Sequence, residues 1–199
     1  QTSLTSDVKL TLFTQQHECE SCKSVQLLVK EIASASDRIT LDLRDLEKDS
    51  DYARILGVNK TPVILIMKND DGPRIRFFGS PEGHELRVFV DDIIRVSKGE
   101  SGLSDETKRL LKSINKPIHI QVFVTPNCPY CPKVTTLAHQ IALENKVISA
   151  DVIEVTTFPE LAQKYSVMSV PNVVINESVR FTGVLPENKF LEKILSAVK

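Results

Sequence analysis

The 199-residue chain has no apolar run near the length of a membrane span and no excess charge of one sign. A transmembrane helix needs roughly 20 consecutive apolar residues, so no membrane span is predicted. A formal net charge of −1 at pH 7 argues against nucleic acid as the main partner, because binding that polyanion requires excess positive charge. The first residues lack a basic region followed by an apolar stretch, and they therefore predict no signal peptide.

Cysteine is scarce, but its spacing is informative. The four cysteines form two Cys-x-x-Cys pairs, Cys19 with Cys22 and Cys128 with Cys131. This pattern indicates redox or metal chemistry and excludes a secreted scaffold stapled by many disulfides. The first cysteines of the two pairs are 109 residues apart, and Pro62 and Pro171 are separated by the same 109 residues. The shared offset predicts two copies of one unit, which we place at residues 1–98 and 103–199.

Each unit has the same predicted order of elements: strand, dithiol, helix, strand, short helix, proline, hairpin and closing helix. The predicted strands lie at 8–13, 39–43, 62–67 and 74–79, then at 118–124, 148–155, 171–175 and 179–183, with short helices at 50–56 and 159–165. We expect the closing helices to bury Leu86, Val90 and Ile93 in the first unit, and Phe190, Ile194 and Val198 in the second.

Two features distinguish the units. The turn 69–72, Asn-Asp-Asp-Gly, marks a longer hairpin in the first unit. Ser104 is expected to cap a helix at about 105–114, ahead of the first strand of the second unit. The first unit has almost no room for the matching helix, so we expect that helix to be missing or the chain to be shortened at its start.

The order β-α-β, then β-β-α, with a dithiol after the first strand, resembles the thioredoxin fold, and Cys128-Pro-Tyr-Cys131 is the glutaredoxin-type sequence. Over nearly its whole length the chain resembles the glutaredoxin-like protein disulfide oxidoreductases of archaea and thermophilic bacteria. The most specific segments are VFVTPNCPYCP at 122–132, FGSPEGHE at 78–85 and YSVMSVP at 165–171. The implied fold class is α/β, with two tandem thioredoxin-fold units, each a mixed central sheet flanked by helices.

The dithiols carry the predicted chemistry. The attacking species in disulfide exchange is the thiolate, and a helix N-terminus favours it, so that the pKa of Cys-x-x-Cys thiols falls to roughly 3.5–7.5. We therefore expect Cys19 and Cys128 to be the nucleophiles, and Cys22 and Cys131 to resolve the mixed disulfides. The enzyme class is then a protein-disulfide oxidoreductase, a reductase and isomerase working by thiol–disulfide exchange.

The residues between the cysteines predict unequal sites. Glu20 places a carboxylate in the first pair, which opposes a second negative charge. Pro129 suits the start of a helix, and Tyr130 adds no charge. We therefore hypothesise that Cys128 is the more reactive thiol.

The resemblance also implies site residues and partners. In that family the proline facing the dithiol has a cis peptide bond, and the preceding residue pairs with the substrate backbone. This assigns substrate binding to Thr61, Pro62, Val170 and Pro171. Many thioredoxins have a buried acid six residues before the first cysteine, but Phe13 and Val122 occupy those positions here, so another group or water must handle the proton.

The resemblance implies a cytoplasmic, thermophile protein that binds no cofactor beyond its redox-active disulfides. Because no Gly-x-Gly-x-x-Gly fingerprint occurs, NADPH acts only indirectly, through a separate thioredoxin-reductase-like flavoprotein. The expected substrates are protein disulfides.

Three alternatives stay open. Four cysteines can hold structural zinc, although 106 residues separate the pairs, and Cys128 could join an iron–sulfur cluster bridging two chains. The units could be a non-catalytic thioredoxin-fold binding module. The chain also resembles the N-terminal domain of the flavin-containing reductase that serves peroxiredoxins, which predicts a disulfide relay with a peroxiredoxin as partner.

Overall fold

The computed structural model describes residues 4–68 and 71–198, and it contains two similar series of elements. The first series is β1 Val8–Thr14, α1 Cys22–Ser34, β2 Ile39–Asp45, α2 Ser50–Ile55, β3 Val63–Met67, β4 Ile75–Phe78 and α3 Glu85–Lys98. The second series is α4 Asp105–Lys112, β5 Ile118–Val124, α5 Cys131–Glu144, β6 Ile148–Glu154, α6 Pro159–Lys164, β7 Asn172–Ile175, β8 Val179–Thr182 and α7 Glu187–Ser196. Both series confirm the predicted order of strands and helices.

The strands form one continuous sheet in the order β2-β1-β3-β4-β6-β5-β7-β8. Each series contributes four strands, and the two halves join where β4 pairs in parallel with β6. The third strand of each series, β3 or β7, is antiparallel to its neighbours, and the other strands share one direction. The carboxyl ends of β1 and β5 therefore lie at the same edge of the sheet, and both dithiols follow at that edge.

Apolar residues fill both faces of the sheet. One core contains residues of α1, α3, α4, α5 and α7, such as Val25, Phe89 and Phe190, packed on inward residues of the strands. The opposite face is covered by the short helices and loops around α2 and α6, where Phe13 and Phe123 are buried. A sheet covered on both faces explains why its central strands are apolar at almost every position.

The closing helices match the prediction in one unit only. In α7, Phe190 and Ile194 are fully buried and Val198 packs against the core, as predicted. In α3 the prediction is wrong, because Leu86 and Val90 are each 36% exposed and only Ile93 is buried. The buried stripe of α3 is Glu85, Val88, Phe89, Asp92, Ile93 and Val96. Two of these buried residues are acidic, so a pattern based on apolar residues alone predicted the wrong face of the helix.

The remaining expectations concern the termini and turns. Ser104 caps α4 by accepting a hydrogen bond from the Thr107 backbone N–H at 3.2 Å, as predicted. Residues 4–7 form no helix before β1, and Thr5 donates to the Ser97 carbonyl near the end of α3; the rest of the stretch that would hold a counterpart to α4 lies outside the described residues. Of the predicted turn 69–72, residues 69 and 70 lie outside the described residues. Among the helices within 4–68 and 71–198, none combines the length and the apolar character needed to cross a membrane.

Candidate active site: two dithiols at one edge of the sheet

Each cysteine pair forms a disulfide at the start of a helix. Cys22 and Cys131 are the first residues of α1 and α5, and their partners precede them in the connecting loops. The Cα–Cα distances are 5.4 Å for the first pair and 5.5 Å for the second. Three strands separate β1 from β5, so four spacings of roughly 4.8 Å put these two strands, from which the dithiol loops start, about 19 Å apart. The four cysteines therefore do not share one tetrahedral metal site.

In each pair the first cysteine is the more accessible one. Cys19 is half-buried and Cys22 is 5% exposed, whereas Cys128 is 7% exposed and Cys131 is fully buried. A nucleophile must be reached by its substrate, while a resolving thiol needs only to reach its neighbour. The burial order therefore fits the predicted roles. The second pair is more enclosed than the first, and both of its cysteines belong to the buried apolar core.

The backbone around the second dithiol is arranged to stabilise negative charge. The Cys131 N–H donates a hydrogen bond to the Cys128 Sγ at 3.1 Å. In the first site the Cys22 N–H donates to the Cys19 carbonyl oxygen at 3.4 Å. A hydrogen bond from an unpaired N–H at a helix N-terminus favours the thiolate form of the acceptor sulfur. This difference supports the hypothesis that Cys128 is the more reactive thiol.

The first dithiol faces a cavity that both units build. The cavity has a volume of about 490 Å³, and its lining is polar: Glu18, Cys19, Glu20, Ser21, Thr61, Thr156 and Thr157. Thr156 and Thr157 belong to the second unit, in the loop after β6. Glu154 holds that loop by accepting hydrogen bonds from the backbone N–H and the hydroxyl of both threonines at 2.5–2.9 Å. The second unit thus forms a wall of the first site.

The two prolines lie beside the dithiols. Both Thr61-Pro62 and Val170-Pro171 are cis, which confirms the predicted peptide geometry. Val63 pairs with Phe13 at the end of β1, and Asn172 pairs with Phe123 at the end of β5, so each proline lies next to the loop that leads to a dithiol. Thr61 lines the Cys19 cavity. Of the residues between the cysteines, Glu20, Pro129 and Tyr130 are all exposed.

A buried carboxyl group faces the helix that begins at the second dithiol, and the sequence analysis missed it. Glu85, the first residue of α3, is 2% exposed. Burial raises its pKa to about 7; the facing Thr135 hydroxyl opposes this shift, and the negative charge of Asp92 adds to it. Thr135 is four residues after Cys131 on α5, so the two side chains are neighbours on one helix face. The sequence signal that could have revealed this buried carboxyl is the helical spacing of Glu85 with the apolar residues Val88 and Phe89 of α3.

The start of α3 is fixed against the loop that carries the second dithiol. The His84 N–H donates to the Pro126 carbonyl at 3.0 Å, two residues before Cys128. Gly83 has φ +60°, and a Cβ atom there would lie 2.3 Å from the same Pro126 oxygen. Only glycine allows this close approach. The first unit thus delivers Glu85 to the second site, just as the second unit delivers Thr156 and Thr157 to the first.

The fold and the helix-opening disulfides define a tandem thioredoxin-fold protein with two redox sites. A family model described as "Thioredoxin domain" matches residues 118–196. A solved protein disulfide oxidoreductase from Aeropyrum pernix K1 is 36% identical with a TM-score of 0.92, covering 98% of this chain and 88% of that one. The chain therefore belongs to the family of protein disulfide oxidoreductases.

Reductases of another kind are more distant relatives. The N-terminal domain of alkyl hydroperoxide reductase AhpF from Enterococcus faecalis is 26% identical with a TM-score of 0.89, covering 96% of this chain and 92% of that one. The corresponding alkyl hydroperoxide reductase protein from Staphylococcus aureus is 25% identical over 88% of this chain and 32% of its own length. A protein called NADH dehydrogenase from Ferdinandcohnia aciditolerans is 26% identical over 84% and 30%, respectively. The chain thus spans about a third of these curated relatives.

Proposed function

We propose that the protein catalyses dithiol–disulfide exchange on protein disulfides, as a reductase and isomerase with two sites. The observation that carries the proposal is the placement of both cysteine pairs. Each pair opens a helix, lies at disulfide distance and presents its first sulfur as the more accessible one. That arrangement provides an activated nucleophile and a resolving thiol one turn away.

The reaction at the second site follows from the contacts there. The Cys128 thiolate attacks one sulfur of the substrate disulfide, and the other substrate sulfur leaves as a thiolate. Cys131 then gives up its proton and attacks the mixed disulfide, so that the Cys128–Cys131 disulfide forms and the substrate leaves with both sulfurs reduced. Glu85 is a group with a suitable proton affinity near Cys131, because its pKa of about 7 lets it accept a proton near neutrality.

Substrate binding is assigned to the loops before β3 and β7. The backbones of Thr61 and Val170, next to Pro62 and Pro171, would pair with an extended substrate chain; the proposal is supported by the register of β3 and β7, which begin beside the strand ends that lead to the dithiols. Cys19 and Cys22 carry out the same chemistry at the first site, within the polar cavity, where Glu20 disfavours the Cys19 thiolate.

Electron supply defines the second candidate function. The likeness to AhpF domains favours a relay between a flavoprotein reductase and a peroxiredoxin. In either function NADPH would act through a thioredoxin-reductase-like flavoprotein in the cytoplasm of a thermophile. Because the strands that lead to the two dithiols are about 19 Å apart, we propose that each site exchanges electrons with its own partner. The units 1–98 and 103–199 would then be two catalytic domains joined through β4 and β6.

The direct test is reduction of insulin disulfides by dithiothreitol in the presence of full-length variants. We expect the wild type to accelerate the reaction, and Cys19→Ser/Cys22→Ser and Cys128→Ser/Cys131→Ser variants to keep one active site each. The quadruple variant is the matched control, and it should be inactive although folded. If the wild type is no faster than the quadruple variant, the chain is a non-catalytic binding module and the proposal fails.

A further inference from the structure

The junction between the units shows how this sheet accepts a parallel strand. Along β4 and β6, Arg76 lies opposite Asp151, and the guanidinium contacts both carboxylate oxygens at 2.5 and 2.9 Å. Arg76 also donates to the Leu56 carbonyl at 3.5 Å. Beyond the paired strand, Thr156 and Thr157 continue to the cavity of the first dithiol. A parallel strand added to β4 therefore carries its own chain to a dithiol.

The second unit repeats this arrangement without the added strand. β8 corresponds to β4, and it is the last strand of the sheet formed by the described residues. Arg180 corresponds to Arg76, and it donates to the Tyr165 carbonyl at 3.2 Å, which matches the Arg76 contact with Leu56. Arg180 is exposed, however, and no carboxylate lies across from it on a neighbouring strand within the described part of the chain.

The space beside the glycine after β8 is open, whereas the space beside the corresponding glycine after β4 is filled by the second unit. A Cβ atom on Gly79 would lie 2.7 Å from the Glu154 Cβ, whereas a Cβ atom on the corresponding Gly183 would meet nothing within 4 Å. The loops of the second unit carry exposed apolar side chains: Tyr130 between the cysteines, Met168 ahead of the cis proline and Val184 next to Gly183 are 62%, 92% and 44% exposed. Their counterparts in the first unit are the polar residues Ser21, Asn59 and Ser80.

We propose that the free edge of β8 is a docking site for an extended segment of a disulfide-bonded protein substrate, which carries an acidic residue opposite Arg180 and apolar residues against Met168 and Val184. This inference rests on the proposed function of Cys128. The junction also predicts how far the partner's acidic residue lies from its reactive cysteine, because Thr156 and Thr157, which reach the first dithiol, are five and six residues after Asp151. The reactive cysteine of the partner therefore follows its acidic residue by five or six positions, in a strand parallel to β8.

A second copy of the chain fits this edge less well. Its β2 would offer Asp42, the counterpart of Asp151, to Arg180. In the existing junction, however, α3 packs on α5, where Asp92 binds His139 at 2.5 Å. Lys193 on α7 corresponds to Asp92, and Lys30 on α1 corresponds to His139. Both lysines are exposed cations. Pairing two copies would bring these like charges together, so the edge favours a different protein.

The test measures how fast Cys128 attacks synthetic peptides in the full chain carrying Cys19→Ser, Cys22→Ser and Cys131→Ser. Each peptide alternates valine and threonine, and its cysteine is linked by a disulfide to thionitrobenzoate. Attack by Cys128 breaks that bond, joins the peptide to Cys128 and releases coloured thionitrobenzoate. One peptide has aspartate five residues before the cysteine, and its partner has lysine there.

We expect the aspartate peptide to react about fivefold faster, the upper range for an exposed ion pair, and Arg180→Glu to reverse the order. Lys189→Glu makes the same change in net charge on α7 and should leave the order unchanged. Met168→Asn should slow both peptides equally. Equal rates for the two peptides, an unchanged order in Arg180→Glu, or self-association that Arg180→Glu abolishes would overturn the proposal. A mercaptoethanol–thionitrobenzoate disulfide separates the two claims, because failure of Cys128 to attack it would contradict the proposed function itself.

Discussion

Replacing Glu85 with glutamine should make the protein more stable relative to the wild type as the pH rises, although substitutions of buried residues usually destabilise. The carboxyl is 2% exposed, and its pKa is raised from 4.5 to about 7. In the unfolded chain the same group ionises near its ordinary value. Between these two values the folded state holds the proton more tightly than the unfolded state, so stability falls as the pH increases. Below pH 4.5 both states are protonated, and Glu85 adds no pH dependence.

The size of the effect follows from the shift. A difference of about 2.5 pKa units corresponds to about 3 kcal/mol at 1.36 kcal/mol per unit. The free energy of unfolding of the wild type should therefore fall by about 3 kcal/mol between pH 4.5 and pH 8 because of this group. The Glu85→Gln variant should not show that fall. Urea unfolding of the oxidised proteins at several pH values measures this difference. Glu82→Gln, an exposed neighbour, is the matched control and should follow the wild type.

The same substitution should slow the chemistry at the second site only. Without the carboxyl, Cys131 loses its proton acceptor, and general acid–base catalysis contributes about 100-fold or more. In the Cys19→Ser/Cys22→Ser background, resolution of the mixed disulfide at pH 7 should fall by about that factor, whereas in the Cys128→Ser/Cys131→Ser background resolution at the first site should be unaffected. Parallel pH–stability curves for wild type and Glu85→Gln, together with unchanged resolution, would refute the role given to this residue.

The other predictions concern the two sites and their junction. Thiolate absorbance should show Cys128 ionising at lower pH than Cys19 in reduced single-cysteine variants, because the Cys131 N–H binds its sulfur; the reverse order would remove that explanation. Asp151→Asn should lower the free energy of unfolding by about 3 kcal/mol, since it removes the buried carboxylate that pairs with Arg76, whose side chain is 12% exposed, whereas Asp51→Asn in an exposed pair should change little; an equally small loss for both variants in urea unfolding would contradict the role of the Arg76–Asp151 pair at the junction. Gly83→Ala should cost about 1–3 kcal/mol and impair the second site alone, because the new Cβ would collide with the Pro126 carbonyl; insulin reduction by the two single-site backgrounds distinguishes this from general damage.

The sequence alone was sufficient to predict the features that recur within each unit. Periodicity and the 109-residue offset located the strands, the helix-opening dithiols and the two prolines, because each depends on residues close together in one unit. The buried face of α3 was mispredicted for a reason of the same kind. Glu85 and Asp92 look like surface residues in a periodic pattern, and only the packing of α3 on α5 buries them.

Contacts between the two units could not be predicted from local sequence patterns. Arg76 and Asp151 are 75 residues apart, and nothing in either strand indicates that the two half-sheets merge through them. The threonines that wall the first dithiol and the glutamate that serves the second each come from the opposite unit. Such exchanged residues follow from the register of β4 against β6, which depends on tertiary packing and not on sequence period.

The central claim is that both cysteine pairs are reactive dithiols, and a redox titration tests it most directly. The full chain would be equilibrated in glutathione buffers of defined potential, trapped by alkylation and analysed by peptide mass for each pair separately. We predict that each pair titrates as a two-electron couple, each with its own midpoint. If neither pair changes between disulfide and dithiol over the range from roughly −300 to −120 mV that spans this class of protein, the account is contradicted.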